Sequence, residues 1–504
     1  MFSTDVITPD GVFYVNLAKM IKAGDYQRMS RDGFFNLYPF LIVFAQKVFF
    51  NWETAGRMVS VVSGSIAVVP LFFIFKRLIN VKIALISVIL YIISPRLVQY
   101  SADVLRESSF WCFSLIAIWL ALTGIFSQKW FYVVFASLFS ALSVLLRIEG
   151  VSVMIVILLW FCWYYHTGIL NRKRFVANVI VFIVSAPLVF SPILLLTKHT
   201  LGEWNLGLAG TKIPYLITHD ANKTLNEHTD IIKETSEQFQ SFIEISERHR
   251  YITFVVETFY KFSRSFNVVF VILLLFGLFL RRSTPYSKNE IPFLIWFAVS
   301  FFTSFAYLAK TYYISTRHGL IMVFPALFWA GIGFYEFRDF LFNRLKKNII
   351  MQRYAQHLTF FLFVVLISVM LPQTLSTSKD KVELKRAGLY LKKMGYSSTR
   401  FSGDPRLIRT VFYADSEFVY IPDKLSLDDV SRFIRNNNIK YIIIDKRITQ
   451  TVPDSIKEML NSNLLEMISL PQLDTFREYS ISVYKMNHRQ DKQFENRRQL
   501  ENNS

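Results

Sequence analysis

Charged residues and cysteines are both scarce in this sequence of 504 residues. Asp, Glu, Lys and Arg make up 18% of the chain and hydrophobic residues make up 53%, whereas soluble proteins carry about 25% charged residues. This balance excludes a soluble enzyme and a disordered chain. The two cysteines, Cys112 and Cys162, both lie in apolar segments, which excludes a disulfide framework and a Cys-rich metal site.

Long apolar segments are abundant instead, and they predict a polytopic α-helical membrane protein. A helix needs roughly 20 residues to cross about 30 Å of hydrocarbon. About ten segments approach that length, so we expect about ten transmembrane helices. They cover residues 57–75, 79–95, 108–126, 129–147, 151–168, 175–197, 265–281, 291–309, 318–336 and 357–372.

The basic residues indicate how these helices are oriented. The formal net charge is +19, which in a soluble protein would suggest nucleic acid. Here Lys and Arg collect in every second connection, which the positive-inside rule assigns to the cytoplasm. We therefore expect a multi-pass cell-membrane protein whose partners include membrane lipids and no nucleic acid. The extracytoplasmic segments are then residues 1–56, 96–107, 148–150, 198–264, 310–317 and 373–504.

The same map predicts four regions. Residues 1–56 form an extracytoplasmic first loop with juxtamembrane helices, and residues 57–372 form the transmembrane domain. Its extracytoplasmic loop 198–264 contains an amphipathic stretch, Asp230–Arg248, which suits either a helix on the membrane surface or a movable lid.

Residues 380–487 predict a small extracytoplasmic α/β domain with some parallel strand pairing, because short helices and strands alternate there. Residues 488–504 form a polar tail. The expected helices are Val382–Met394 and Ser426–Arg435, and the expected strands are Phe418–Ile421, Tyr441–Asp445 and Tyr479–Met486.

Several charged residues lie near the outer ends of the predicted helices. A charge at membrane depth costs roughly 2.5–3.5 kcal/mol on insertion scales, so this constellation suggests a functional site. Structural explanations remain open: helix capping by Asp10, pairing of Arg106 with Glu107 or of Arg147 with Glu149, and interfacial anchoring by Lys310 and Arg317. The constellation comprises Asp10, Asp103, Arg106, Glu107, Arg147, Glu149, Lys310, Arg317 and His318.

Short motifs in this order resemble the GT-C type membrane glycosyltransferases, in particular the protein O-mannosyltransferases and the aminoarabinose transferases of lipid A. The pattern Asp10-Gly11-x-x-Tyr14-x-x-x-Ala18, with Gly24 after it, resembles their first extracytoplasmic loop. The resemblance extends over about residues 1–336. The other matching segments are Leu37–Phe40, Gly56-Arg57 with Ser60 and Gly64, Ser94-Pro95 with Ser101 and Glu107, Leu146–Gly150, and Arg317-His318 with Pro325.

The resemblance implies a GT-C fold and a sugar donor joined to a polyprenyl phosphate. The acceptor would be a hydroxyl of a glycan, a lipid or a protein. The resemblance implies no certain cofactor, and although a divalent metal is compatible with it, the sequence shows no cluster of metal ligands. Asp10 would be the general base of an inverting transfer, with Glu107 and Asp103 assisting it. The implied substrate-binding residues are Tyr14, Arg57, Arg106, Arg147, Lys310, Arg317 and His318, of which the cations suit the leaving phosphate.

Two other functions are weighed against a transferase. A transporter or flippase of lipid-linked sugars should show related halves and charges at mid-membrane, and the sequence shows neither. A membrane-anchored binding protein would act through residues 380–487, which contain no phosphate-binding glycine loop, CxxC pair or nucleophile elbow. The transferase is therefore the preferred prediction.

Overall fold

A computed structural model describes residues 6–32, 36–202, 248–281, 286–345, 357–375, 381–422, 425–447, 452, 454–461, 464–470 and 479–486. The chain folds as two compact units. The first comprises Tyr14–Ser376, and the second comprises Phe2–Phe13 together with Thr377–Ser504. The predicted polar tail, and the amphipathic stretch 230–248 except for its last residue, lie outside the described residues.

Helices make up the described chain as far as residue 375. They are α1 (Pro9–Ala23), α2 (Tyr26–Asp32), α3 (Leu37–Phe49), α4 (Trp52–Ile66), α5 (Val68–Leu78), α6 (Val81–Ile93), α7 (Pro95–Ala102), α8 (Glu107–Ser127), α9 (Trp130–Leu146), α10 (Gly150–His166), α11 (Arg172–Ser185), α12 (Pro187–Leu201), α13 (Arg250–Phe266), α14 (Val268–Phe279), α15 (Ile291–Thr311), α16 (Thr316–Leu345) and α17 (Leu358–Leu375). A short 3₁₀ helix, Lys288–Glu290, precedes α15.

The helix lengths confirm a multi-pass α-helical membrane protein. Among the described residues, six helices are long and apolar enough to cross a membrane. The number rises to eight if each of two bent helix pairs is one span. These pairs are α6 with α7, bent by 58°, and α13 with α14, bent by 109°. The shorter apolar helices include α9 and α10, so each of the ten predicted segments coincides with a helix. The six long spans are Trp52–Leu78, Glu107–Ser127, Arg172–Thr200, Lys288–Thr311, Thr316–Arg344 and Leu358–Leu375.

Small and aromatic residues hold the helices together. A Cβ atom at Gly277 of α14 or Gly333 of α16 would overlap the backbone of the opposite helix, so glycine permits the close approach that membrane helices use for packing. Phe293 of α15 stacks on Phe328 of α16 with ring centroids 4.1 Å apart. These contacts fix α16, the most buried of the long spans, in the middle of the bundle.

The second unit contains a mixed five-stranded sheet, which confirms the predicted small α/β domain. Its strand order is β2-β1-β3-β5-β4. Strand β1 pairs in parallel with β2 and β3, and β5 pairs antiparallel with β3 and β4. The elements are α18 (Val382–Lys393), β1 (Arg400–Gly403), α19 (Ile408–Tyr413), β2 (Glu417–Phe418), α20 (Leu427–Asn436), β3 (Tyr441–Asp445), α21 (Asp454–Asn461), β4 (Leu465–Ile468) and β5 (Ile481–Met486).

Strand β3 forms the centre of this domain. Its side chains alternate between faces, so Ile442 and Ile444 join one core cluster with Val430 and Ile434 of α20 and Ile456 of α21. The predicted strand Tyr441–Asp445 agrees with β3 at both ends. Strands β1 and β4 were not predicted, because each is only four residues long and carries charged residues.

Gly403, at the end of β1, is required by its backbone conformation and by its surroundings. Its φ is +127°, and a Cβ atom there would overlap the backbone of Ile443 in β3. Backbone strain alone costs about 1–3 kcal/mol. We predict that Gly403→Ala destabilises the second unit by more than this, because β3 must also move. Hydrogen exchange of the β1 and β3 amides in the full chain measures this loss.

Gly395→Ala is the matched control. Gly395 also has a positive φ, +86°, but has no atom within 4 Å of a Cβ position, so this change adds backbone strain alone. Equal loss of protection in the two variants would contradict the role assigned to the contact between β1 and β3.

Candidate active site

A buried arginine held between two carboxylates is the centre of the site in the first unit. Arg147 Nη1 lies 2.7 Å from Glu107 Oε1, and Arg147 Nη2 lies 2.6 Å from Glu149 Oε1. The side chains of Arg147 and Glu107 are only 7% and 4% exposed. Because charges buried in this way are stable only when paired, each member of the triad holds the other two in place.

The turn between α9 and α10 places Arg147 and Glu149 together. Arg147 follows the last residue of α9 in an extended conformation, and Glu149 is the N-cap of α10, where negative charge is favourable. A Cβ atom at Gly150 would lie 2.5 Å from the backbone nitrogen of Val144. Only glycine therefore allows α10 to start so close to the end of α9.

The start of α16 completes the network. Arg317 Nη1 lies 3.6 Å from Glu107 Oε1, and His318 Nε2 lies 3.5 Å from Glu149 Oε1. The ring of His318 stacks on Tyr307 of α15 at 4.4 Å, and its Nδ1 lies 3.0 Å from Ser315 Oγ. The side chain of Arg317 remains 33% exposed, in contrast to the buried Arg147.

The electrostatics of the turn follow from this pairing. Burial alone would raise the pKa of Glu149, but the adjacent Arg147 guanidinium and then His318 hold that pKa far below its usual range. Burial alone would lower the pKa of Arg147. The adjacent carboxylates of Glu149 and Glu107 outweigh this effect, so the pKa of Arg147 is raised. Glu149 is therefore ionised at any physiological pH.

A second ion pair connects α4 to the end of α7. Arg57 Nη2 lies 2.8 Å from Glu53 Oε1, and Arg57 Nη1 lies 3.8 Å from Asp103 Oδ1. Arg57 Nη1 also donates to the carbonyl of Ala102 at 3.4 Å. The Arg57 side chain is buried, so this arginine orients the loop that carries Asp103 and Arg106.

Tyr14 and Arg106 lie beside a buried tyrosine of α3. The Tyr14 ring packs edge-on against Tyr38 at 5.3 Å, and the Arg106 guanidinium lies 5.8 Å from the centre of the Tyr14 ring. Tyr38 Oη is 2.7 Å from Ser60 Oγ and donates to the Gly56 carbonyl at 2.9 Å. Tyr14 is close enough to Arg147 to affect its charge, so these residues adjoin the triad.

Lys310 and Asp10 are the remaining predicted site residues. Lys310 is partly buried in the last turn of α15 and makes no ion pair with any described residue. Asp10 belongs to the second unit and lies in the first turn of α1, where Thr8 Oγ1 accepts a hydrogen bond from the Gly11 amide at 3.0 Å. The capping role considered for Asp10 at this amide thus belongs to Thr8.

The sequence predicted the residue types of the site better than their pairing. The expected pair of Arg147 with Glu149 is present, but Glu107 pairs with Arg147 and Arg317 rather than with Arg106. Sequence reasoning missed Tyr38 and Tyr307, although Tyr38 lies within the matching segment Leu37–Phe40. Within the described part of the chain, no group of three or more His, Cys, Asp or Glu residues is placed to hold a metal ion.

Comparison with known proteins supports the resemblance seen in the sequence. A family model described as dolichyl-phosphate-mannose-protein mannosyltransferase matches residues 36–191. No curated protein matches the chain by sequence. The matched region contains Arg57, Asp103, Arg106, Glu107 and Arg147, and all of these residues belong to the first unit.

Two solved structures share the fold. One is a crystal structure of ArnT from Cupriavidus metallidurans bound to undecaprenyl phosphate. Its sequence is 11% identical to this chain and the TM-score is 0.59. The similarity covers 96% of this chain and 94% of the ArnT chain. The oligosaccharyltransferase of Archaeoglobus fulgidus is 12% identical with a TM-score of 0.52 over 87% of this chain. The chain spans 66% of that enzyme's length. The predicted resemblance to the GT-C type glycosyltransferases is confirmed.

The depressed pKa of Glu149 has a testable consequence. Since the folded-state pKa lies below the ordinary value of about 4.3, the pairing is fully stabilising above that value and its contribution shrinks as the pH falls. Glu149→Gln should cost about 3–5 kcal/mol of stability at neutral pH. We expect the difference in thermal unfolding between wild type and variant to narrow between about pH 5 and pH 3.

Glu257→Gln provides the control for this titration. Glu257 pairs with Lys261 one helical turn away, and its side chain is 38% exposed, so the change should cost less than about 1 kcal/mol. A difference between wild type and Glu149→Gln that stays constant down to pH 3 would contradict the assigned pairing.

Proposed function

We propose that this protein transfers a sugar from a polyprenyl-phosphate donor to an acceptor hydroxyl on the extracytoplasmic side of the membrane. The family match concerns dolichyl-phosphate-mannose-protein mannosyltransferases, and the similar ArnT structure contains undecaprenyl phosphate. Both support a membrane glycosyltransferase with a lipid-phosphate donor. The extracytoplasmic orientation rests on the alternation of basic connections.

The observation that carries the proposal is that Arg317, whose side chain is 33% exposed, lies beside the buried ion pairs of Arg147. Arg147 pairs with Glu107 and Glu149 at 2.7 and 2.6 Å, whereas Arg317 lies 3.6 Å from Glu107 and 6.0 Å from the centre of the Tyr100 ring, and its side chain is 33% exposed. An arginine fork suits the oxygens of a phosphate. We assign Arg317 to the donor phosphate and Arg147 to holding Glu107 and the α9–α10 turn in place.

Charge development at the phosphate explains why cations are needed here. When the bond between the anomeric carbon and the phosphate oxygen breaks, its electron pair stays with the phosphate. Arginine or lysine donors near that oxygen stabilise the transition state more than the ground state. Lys310 and Arg106 are further candidates for this contact, and Tyr14 and His318 would line the same substrate-binding region.

Asp10 is our candidate for the general base. The acceptor oxygen bonds to the anomeric carbon from the face opposite the phosphate, which inverts that centre, while its proton passes to the Asp10 carboxylate. Asp10 is partly exposed in the first turn of α1. Asp103 and Glu107 are already ion-paired, and this suits orientation better than proton transfer.

Replacement of Asp10 tests the base. We predict that Asp10→Asn lowers sugar transfer by about 10²- to 10⁴-fold, the usual contribution of a general base. Mass spectrometry of envelope lipids, glycans and proteins, in a deletion strain complemented with each variant, identifies the product and measures its loss. Asp25→Asn, at an exposed residue that caps Arg28, should leave transfer unchanged.

Near-normal transfer by Asp10→Asn would refute the assigned base. An unaltered glycan profile in the deletion strain, together with mislocalised lipid-linked precursors, would contradict transfer itself and indicate transport.

Replacement of Arg317 tests the donor contact. We predict that Arg317→Gln weakens retention of undecaprenyl phosphate by about 10- to 100-fold, since a hydrogen bond to a charged group contributes about 1.5–3 kcal/mol. Native mass spectrometry of the full chain measures the retention. Arg338→Gln, at a surface pair with Asp339 on the same helix, is the control, and equal retention in all three proteins would exclude Arg317 as the phosphate contact.

A further inference from the structure

The sheet of the second unit has an edge at which α/β proteins commonly bind ligands. Strands β1, β2 and β3 are parallel, so their carboxyl ends lie at the same edge. The chain leaves β1 to form β2 on one side and then returns to form β3 on the other. Ligands in open α/β sheets bind in the crevice at such a change of direction.

Polar residues from three segments meet at this edge. Asp404 directly follows β1, Asp445 ends β3, and both are buried. Arg406 Nη2 lies 2.5 Å from Asp404 Oδ2 and 3.8 Å from Asp445 Oδ2. Asp445 Oδ1 also accepts from the Ser480 amide at 3.1 Å, which brings the start of β5 to the same place. The negative charges of Asp404 and Asp445 are therefore paired with the guanidinium of Arg406.

Arg409 differs from Arg406 because it has no partner. It lies in α19, one turn after Arg406, and its Nε atom is buried without a hydrogen bond. The guanidinium makes neither an ion pair nor a hydrogen bond with any residue that the structure describes. A buried donor left unsatisfied costs about 1–3 kcal/mol, and more when it is charged. An anionic ligand would supply the missing acceptor.

The surroundings of Arg409 add hydroxyl groups rather than carboxylates. Desolvation lowers the pKa of Arg409, and the Tyr479 and Tyr413 hydroxyls oppose this shift. Tyr479 also influences Arg406, so the two arginines and Tyr479 share one region. The carboxylates of Asp404 and Asp445 already pair with Arg406. The site therefore offers mainly hydrogen-bond donors, which favour a phosphate or carboxylate over a cation.

The segment that carries Asp10 packs against the same part of this unit. The Ile7 amide donates to Tyr413 Oη at 2.9 Å. Tyr420 lies just beyond β2, and desolvation followed by the charge of Asp10 raises the pKa of its hydroxyl. Within the second unit, the segment that precedes Asp10 therefore contacts α19, the helix that carries Arg409.

We propose that Arg409 binds an anionic group, a phosphate or a carboxylate, on the acceptor and so presents the acceptor hydroxyl to Asp10. The assignment of this anion to an acceptor rests on the proposed transferase function, whereas the anion site itself does not. The acceptor is thus an anionic glycan or lipid rather than a neutral one.

Ligand-dependent unfolding of the full chain in nanodiscs of neutral lipid tests the site. The probes are inorganic phosphate and glucuronate, each compared with chloride at equal ionic strength. We expect at least one probe to raise the unfolding temperature of wild type, and Arg409→Met to weaken its binding by at least tenfold. Arg386→Met, at an exposed arginine of α18, should retain full binding.

A second measurement separates a binding role from a structural one. Without ligand, Arg409→Met should unfold at the wild-type temperature or above it, because an apolar side chain replaces an unpartnered charge. A lower unfolding temperature would show that Arg409 stabilises the fold and would overturn the proposal. So would the absence of any response in wild type, or an unchanged response in Arg409→Met.

The donor site is distinguished by Arg317→Gln, which should retain the response to the probes. If Arg317→Gln abolishes the response and Arg409→Met does not, the anion binds at the donor site and the inference fails. Anion binding is measured without sugar transfer, so the two proposals can fail separately. If wild type responds to the probes as expected but Asp10→Asn keeps full transfer activity, the proposed base is refuted and the anion site is still supported.

Discussion

Arg147 is the residue on which the arrangement of the first unit depends. Its guanidinium is buried at the end of an apolar bundle, where an unpaired charge would cost several kcal/mol, and it is held by Glu107 and Glu149. These partners belong to α8 and to the start of α10. Neutralising the charge of Arg147 therefore requires the start of α8, the end of α9 and the start of α10 to meet. Arg317 and His318 of α16 contact the same two carboxylates.

The proposed function assigns different roles to Arg147 and Arg317, and this constraint is the reason. Arg147 already has two carboxylates, so it has no capacity for a substrate without breaking a buried pair. Arg317 shares Glu107 at a longer distance and retains access to solvent. In the proposed function, a phosphate at Arg317 leaves the pairing of Arg147 intact. Binding of the donor then requires little reorganisation of the helices beneath it.

Residue patterns predict those parts of this structure that depend on neighbours along the chain. The positions of the apolar helices follow from the length of the apolar segments, and the pair of Arg147 with Glu149 follows from their places around one turn. The contact of Glu107 with Arg317 joins residues more than two hundred positions apart, and only the packing of α8 against α16 creates it. Likewise, nothing in the sequence around Arg409 shows that this arginine lacks a partner, since that depends on what the fold places near it.

The two halves of the proposed reaction are assigned to different compact units, the donor cations to the first and Asp10 and Arg409 to the second. The family match covers residues 36–191, which contain Arg106 but neither Lys310 nor Arg317, although all three belong to the first unit. A polyprenyl phosphate presents the same phosphate to every enzyme that uses it, so the residues that contact it are constrained in type. Acceptors differ between enzymes. We expect the residues that select the acceptor to vary more, and the proposal places them in the unit that carries Asp10 and Arg409, whereas the fold similarity to ArnT extends over 96% of this chain.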